Sequence, residues 1–460
     1  MPTAEPTADD ERALIDPSVC AEDGTSLEAA ATGETLPAEV PEIPIPEYVD
    51  ALCRKAKSAA GKLAALPTSI KNQALTAMAD QLEARTEEIL AENEKDVEAF
   101  GDDPARKAMA DRLRLTPERI RDMAAGVREI VKLPDPLGHM PKMWMRPNGM
   151  QVGRMRVPIG VIAMIYESRP NVTVDSAALC LKSGNVCILR GGSEAIHSNR
   201  MLATILAQAA EEAGVPAGSI TFVDRPDREV VPILLKRDKE IDLVIPRGGE
   251  SLMKVVVEHA TIPVIKHDAG VCHMYVDHYA DVEMAVRLCV NAKVQRPATC
   301  NATETVLVHQ TVARTFLPPF IAKLQEAKVD VRGCAKTQQI CPEVAPAEDE
   351  DFGKEFLSLT LAVKVVKSFE DAVEHIGRHG SQHTESIVTQ DYSRAMRFLK
   401  EVDASAVLVN ASTRLNDGFQ FGLGAEIGIS TSRIHARGPM GLEELTCSKF
   451  VVFGTGQIRE

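Results

Sequence analysis

Pro158-Ile-Gly-Val-Ile-Ala-Met-Ile-Tyr166, followed by Val186-Cys-Ile-Leu189, is the stretch whose reading decides the fold. Residues 161–166 are apolar without a break, whereas a strand with one wet face would alternate, so both of its faces must be covered. A helical pattern at 174–182 lies between the two apolar runs. The same rhythm repeats with apolar runs at 220–223, 242–245 and 264–266 and helical stretches at 193–213, 228–236 and 250–259. Strand, crossover helix and parallel strand make the βαβ unit of a sheet covered by helices on both faces. A second series follows, with strands at 305–309, 361–366, 387–389 and 406–410 and helices to about 327, at 369–379 and at 392–402. The expected class is α/β, with two parallel-sheet domains in succession.

The flanks add three features. From Glu47 the pattern is helical, with Leu75, Met78 and Leu82 at helical spacing, and Thr116-Pro117 reads as an N-cap with proline at the first helical position. Residues 143–146 and 150–157 flank Pro147-Asn148-Gly149, which predicts a two-stranded ribbon closed by a type I′ turn. Such a ribbon is marginal alone and needs another surface to pack on. Residues 1–48 hold twelve acidic residues and one basic residue, Arg12, so they carry −11 of the net −14 and leave the body near neutral. That balance offers no nucleic-acid surface. With almost no apolar periodicity, 1–45 reads as a disordered acidic tail. No apolar run is long enough to span a membrane, no secretory leader is visible, and ten cysteines without framework spacing suit a reducing compartment, so a cytoplasmic location is expected. No metal-ligand spacing appears among the cysteines.

One cysteine stands apart. Gln295-Arg-Pro-Ala-Thr-Cys300-Asn-Ala-Thr-Glu304 leaves a helical stretch at 281–293 and enters the strand at 305, and Pro297 stops the helix before Cys300. Taken alone, Cys300 is either a small packing residue or a nucleophile whose thiol is acidified by Arg296 and the amides of the turn. Two other connections carry glycines and an arginine at the carboxyl end of a strand, Arg190-Gly191-Gly192-Ser193 and Arg247-Gly248-Gly249-Glu250. Free helix amides there favour a phosphate, while the plain alternative is two tight turns with solvated arginines. Neither the dinucleotide glycine fingerprint nor a P-loop is present.

Longer motifs point further. The segment from Pro158 through Glu167-Ser-Arg-Pro-Asn171, Lys182 to Glu194 with Arg190-Gly-Gly-Ser193, Gln295 to Glu304, His375 to Ile387, Phe421-Gly-Leu-Gly-Ala-Glu426 to Thr431, and His435-Ala-Arg-Gly-Pro-Met440 resembles the gamma-glutamyl phosphate reductases. These enzymes, also called glutamate-5-semialdehyde dehydrogenases, are a branch of the aldehyde dehydrogenase superfamily. The resemblance runs from about Pro46 to Arg459. It implies an aldehyde dehydrogenase-like fold with a cofactor-binding domain (46–140 and 158–265), a catalytic domain (266–430) and a β-ribbon oligomerisation element (141–157 and 440–460). It implies a cofactor fold without the glycine fingerprint, and NADPH-dependent reduction of L-glutamyl 5-phosphate to L-glutamate 5-semialdehyde, the second step of L-proline biosynthesis.

Carried over by position, Cys300 is the nucleophile and Asn171 the oxyanion donor, in a turn two residues longer than the superfamily's. Arg190 stands where a lysine contacts the cofactor and is expected to pair with a 2′-phosphate, with Ser193 beside it. Arg247, Gly248 and Gly249 form a second cofactor turn, and Glu355 matches the glutamate that holds the nicotinamide ribose. Arg169, Arg433 and Arg437 are candidates for the anionic ends of the substrate. Oxidising relatives carry a water-activating glutamate where this chain has His267, which is either structural or a proton donor to the leaving phosphate. A homo-oligomer is expected, with glutamate 5-kinase as a possible source of substrate. The rivals are an oxidising dehydrogenase, which would need that glutamate, and a non-enzymatic scaffold, which would not need Cys300.

Overall fold

The computed structural model describes residues 43–101, 107–266 and 269–459. The acidic tail therefore lies outside the described residues, except at its border. Helices Ile45–Ala64, Thr68–Ala84, Thr86–Phe100 and Pro117–Lys132 precede the first sheet. The Thr116 hydroxyl accepts a hydrogen bond from the Arg119 amide at 3.2 Å and Pro117 opens the helix, as the cap reading predicts.

The first sheet is parallel, in the order Ile220–Phe222, Val186–Arg190, Val161–Tyr166, Leu243–Arg247. The continuous apolar run at 161–166 is buried throughout, so the absence of alternation is accounted for. Chain order reverses between Val161–Tyr166 and Leu243–Arg247, and the carboxyl ends of these two strands therefore diverge around a crevice. The expected strand at 264–266 is reduced to one bridge, Val264 with Val244. The expected helix at 228–236 shrinks to Val230–Leu234.

The second sheet has seven strands, all parallel, in the order Ala345–Pro346, Asp330–Gly333, Thr360–Val366, Thr303–His309, Cys272–Val276, Thr384–Val388, Ala406–Val409. Cys272–Val276 is central, yet its sequence did not read as a strand because His273 interrupts the apolar run. A polar residue is tolerated there because Glu385, its register partner on the next strand, accepts from the His273 amide at 2.8 Å and faces its Nδ1 at 3.1 Å. Apolar clusters cover both faces of this sheet, one around Phe316 and Phe320 and the other around Phe369 and Phe398.

A third, antiparallel sheet joins Lys142–Met145, Gln151–Pro158 and Thr446–Phe453. The ribbon is present, but its turn is not type I′. Asn148 has no positive φ, and the reversal instead uses the Gly149 amide bonded to the Arg146 carbonyl at 2.9 Å, with Gly149 alone in the left-handed region at φ 88°. Pro147 presets the first turn residue for this arrangement. The C-terminal strand, which no periodicity flagged, gives the ribbon its second partner along the whole of Gln151–Pro158.

Candidate active site

The crevice at the reversal point forms one wall of a cleft of about 1200 Å³. Glu167, Ser168 and Arg169 leave the end of one strand, and Gly248 and Gly249 leave the end of the other. The opposite wall comes from the amino ends of Cys272–Val276 and Thr303–His309, which deliver Ala269 and the turn 298–301. Cys300 sits in this turn, facing the cleft.

The turn is fixed from several sides. A Cβ on Gly270 would lie 2.1 Å from the Cys300 carbonyl oxygen and 2.7 Å from its Cα, so only glycine lets the two backbones approach this closely. The Cys272 thiol donates to the same carbonyl at 3.1 Å. Asn301 donates to the Asn416 carbonyl at 2.9 Å, and Thr299 donates to the Arg296 carbonyl at 2.8 Å. A nucleophile gains from such a rigid seat because misplacement by about an ångström costs roughly a hundredfold in rate.

The thiol itself differs from the expectation of an acidified group. Burial pushes its pKa up to about 11. Arg247 and Arg169 pull it down, while Glu426 and Glu355 push it further up. Desolvation of the thiolate outweighs the cations, which include Arg247 and Arg169 from the other wall and Arg414 from beside the Cys300 turn. The consequence is testable. Alkylation of Cys300 by iodoacetamide in the ligand-free protein should rise with pH well past the ordinary thiol value of about 8.5 and level off only near 11. A plateau reached by pH 8 would contradict a desolvated thiol.

The first sheet's side of the cleft is also built from backbone and carboxylates. Helix Glu250–His259 starts at the Gly248-Gly249 turn, and the Gly249 amide donates to Glu167 at 3.0 Å. A Cβ on Gly248 would lie 2.6 Å from the Glu167 carboxyl carbon, so Glu167 packs directly on the turn. The Glu194 carboxylate accepts from both the amide and the hydroxyl of Ser168 at 2.7 Å, tying the Gly191-Gly192 connection to the loop that carries Arg169. Glu355 lines the cleft after the short helix Asp349–Gly353; burial raises its pKa, opposed by the Gly270 amide.

The aldehyde dehydrogenase family pattern matches residues 28–354. A gamma-glutamyl phosphate reductase of Thermodesulfovibrio yellowstonii is 56% identical over 407 residues, which cover 88% of this chain and 97% of that one. The chain belongs to the gamma-glutamyl phosphate reductase family. The crystal structure of the Thermotoga maritima gamma-glutamyl phosphate reductase is 45% identical, covers 90% of this chain and 100% of its own, and superposes with a TM-score of 0.86. An acetylating aldehyde dehydrogenase of Geobacillus thermoglucosidasius, 19% identical with a TM-score of 0.67, shares the fold over 90% of this chain and 98% of its own. Membership makes this reductase-family chain an oxidoreductase acting at the aldehyde level with a nicotinamide cofactor.

Of the residues singled out in sequence, the cleft gathers Cys300, Arg169, Arg247, Gly248, Gly249 and Glu355. Asn171 is elsewhere: it is exposed in the first turn of helix Pro170–Lys182, and its amide donates to Asp175 at 3.1 Å. Arg190 is buried, and its guanidinium donates to the carbonyls of Gly191, Pro226 (3.2 Å) and Asp227 (3.4 Å). It therefore shapes the wall behind the Gly191-Gly192 turn instead of presenting its fork to a phosphate. Ser193 is exposed at the start of the short helix Ser193–Ala195. Arg433 and Arg437 converge on Asp403, Arg437 at 2.8 Å, and neither lines the cleft. His267, and Asp268 beside it, lie outside the described residues. Arg296, weighed in sequence only as a neighbour of the thiol, lines the cleft together with Arg112, Arg414, Asp417 and Glu426, which the sequence did not single out. Arg296 and Glu426 stand inside quoted motifs and were open to notice; Arg112 and Arg414 come from segments without one.

Proposed function

We propose that this enzyme reduces L-glutamyl 5-phosphate with NADPH to L-glutamate 5-semialdehyde and phosphate through a thioester on Cys300, the second step of L-proline biosynthesis. The observation that carries the reading is a single cysteine on a rigid turn, facing arginines across the crevice at the point where the first sheet's strand order reverses. The residues fit a nicotinamide dinucleotide. The first amides of helix Glu250–His259, beyond the Gly249 amide that Glu167 takes, are offered to a pyrophosphate, and Glu355 offers a carboxylate to a ribose. When bound, the cofactor supplies the hydride.

The chain's own part follows from the seat of Cys300. Its thiolate attacks the acyl carbon, phosphate departs, and the acyl group is held as a thioester. Arg169 and Arg247 favour the thiolate over the thiol, against the cost of burial. Collapse of the thiohemiacetal on Cys300 releases the aldehyde and returns the sulfur. His267, in the place of a water-activating glutamate, suits an enzyme that must not hydrolyse its thioester; its role is either structural or that of proton donor to the phosphate. Asn171 is the oxyanion donor in this scheme and must release Asp175 to serve. Replacing Asn171 by alanine should then lower kcat by roughly 10²–10³. A change confined to KM would show that the longer turn has taken the amide out of the reaction.

Two associations complete the reading. The third sheet exposes Trp144, Met145, Phe450 and Phe453, a surface suited to a second copy of the chain. Hand-over from glutamate 5-kinase would shield the acyl phosphate from water. Among the described residues no helix is long and apolar enough to cross a membrane, and a cytoplasmic location is part of the proposal. The direct test is steady-state assay of the full chain with glutamate semialdehyde and phosphate. Reduction of NADP⁺ at a higher kcat/KM than NAD⁺ is expected. Failure to turn over with either would overturn the reading.

A further inference from the structure

The stretch from His375 to Ile387 lends no residue to the cleft. Its middle nevertheless lies directly behind the nucleophile. His383, Thr384, Cys272 and Asn416 are all wholly buried there. Buried polar groups are costly unless each finds a partner, and these are linked in series. The Asn416 side-chain amide donates to the Thr384 hydroxyl at 2.8 Å. That hydroxyl meets the His383 Nδ1 at 2.7 Å. The Cys272 sulfur stands 3.6 Å from the same Nδ1 and 3.1 Å from the Cys300 carbonyl oxygen. The Asn416 carbonyl completes the ring by accepting from Asn301, the residue after the nucleophile, at 2.9 Å.

The direction of each proton follows from what each group can give. Thr384 accepts from Asn416, so its own hydroxyl proton passes to His383 Nδ1. Burial pushes the His383 pKa down to about 4, so the ring is neutral and carries its proton on Nε2. Nδ1 then has a lone pair to offer, and the Thr384 hydroxyl fills it. The Cys272 thiol is left with the Cys300 carbonyl, which is also the nearer acceptor. Thr384 lies within reach of the Cys272 sulfur as well, but sulfur is a weaker acceptor than a ring nitrogen. Without the Thr384 hydroxyl, Nδ1 would stand open and the thiol proton would turn from the carbonyl to the ring.

We propose that Thr384 is a positioning residue for the nucleophile: by filling His383 Nδ1 it aims the Cys272 thiol at the Cys300 carbonyl, and so holds the Cys300 sulfur at its place in the cleft. The role rests on the reading of Cys300 as the nucleophile. Thr384 touches neither substrate nor cofactor and acts only through His383 and Cys272. Through Asn416 it is also tied to the far side of the turn, where Asn301 is held. The His383-Thr384 pair thereby gains a function that no cleft contact gives it.

Thr384→Val keeps the shape of the side chain and removes the hydroxyl. Its kcat for glutamate semialdehyde with phosphate should fall roughly tenfold while KM stays within about twofold, because the sulfur is displaced and the binding groups are not. Thr384→Ser, which keeps the hydroxyl, should recover most of that loss. Cys272→Ala should cost about as much as Thr384→Val, and since one acts through the other, the double variant should be no slower than either alone, about tenfold. Losses that multiply to roughly a hundredfold, Thr384→Ser as slow as Thr384→Val, or wild-type kcat in Thr384→Val would each overturn the proposal. Nitrogen NMR of the full chain carrying labelled histidine tests it with no substitution at all: the His383 proton belongs on Nε2, and a proton on Nδ1 would overturn it. The same non-additivity should appear in the rate of Cys300 alkylation by iodoacetamide, which needs no substrate. Wild-type turnover tests the substrate itself, so a wrong substrate and a wrong role for Thr384 give different results.

Discussion

Cys300→Ala is expected to abolish turnover in both directions while NADPH binding stays within about twofold of wild type, because only the covalent step is removed. The side chain fills little of the cleft, and the turn around it is held by the Gly270 contact and by Asn301, Thr299 and Cys272, of which only Cys272 reaches the residue, through its main-chain carbonyl. The variant should therefore fold like the parent. Retention of even a hundredth of wild-type kcat would be too much for a reaction without its nucleophile, and would remove Cys300 from the mechanism.

Gly270→Ala should be nearly as severe although it deletes nothing. The new methyl would sit 2.1 Å from the Cys300 carbonyl oxygen; its place is fixed by its own backbone and the atoms it meets are backbone, so no rotamer change relieves the contact. Either the strand that begins at Cys272 or the turn 298–301 must move. A displacement of about 1 Å at the nucleophile costs on the order of a hundredfold in kcat, and iodoacetamide labelling of Cys300 should change with it. Turnover within about threefold of wild type would show that the close approach does not position the sulfur.

Much of this arrangement was legible in sequence, for identifiable reasons. The run at 161–166 has no polar residue and could only be a covered strand. Thr116-Pro117 is a local signal and acts locally. Cys300 stood out because Pro297 ends the preceding helix and leaves the thiol in a connection. What failed was long-range. His273 is acceptable in a central strand only because Glu385, 112 residues later, meets it. Arg112 reaches the Cys300 turn across 186 residues, and Arg414 across 113, and neither distance leaves a mark on local composition. Arg190 shows the opposite error: its position between strand and glycines suggested a phosphate partner, yet burial turns its donors onto the carbonyls of the 226–227 segment. Arg433 and Arg437 pair with Asp403 and stand off the cleft, which their motif position does not show. Motif position says which loop a residue stands on; it does not say which way a side chain leaves the backbone.

The central claim is that Cys300 carries an acyl group which phosphate accepts and water does not. The most direct measurement is NADP⁺ reduction by glutamate semialdehyde in buffer free of phosphate and arsenate, followed in a stopped-flow instrument with enzyme in quantity. A single burst of at most one NADPH per site, then a stall relieved by adding phosphate, is the predicted result. Steady NADPH formation without either anion would contradict it. Water would then be reaching the thioester with help from a carboxylate in the cleft, Glu355 or Glu426, and the enzyme would be an oxidising dehydrogenase.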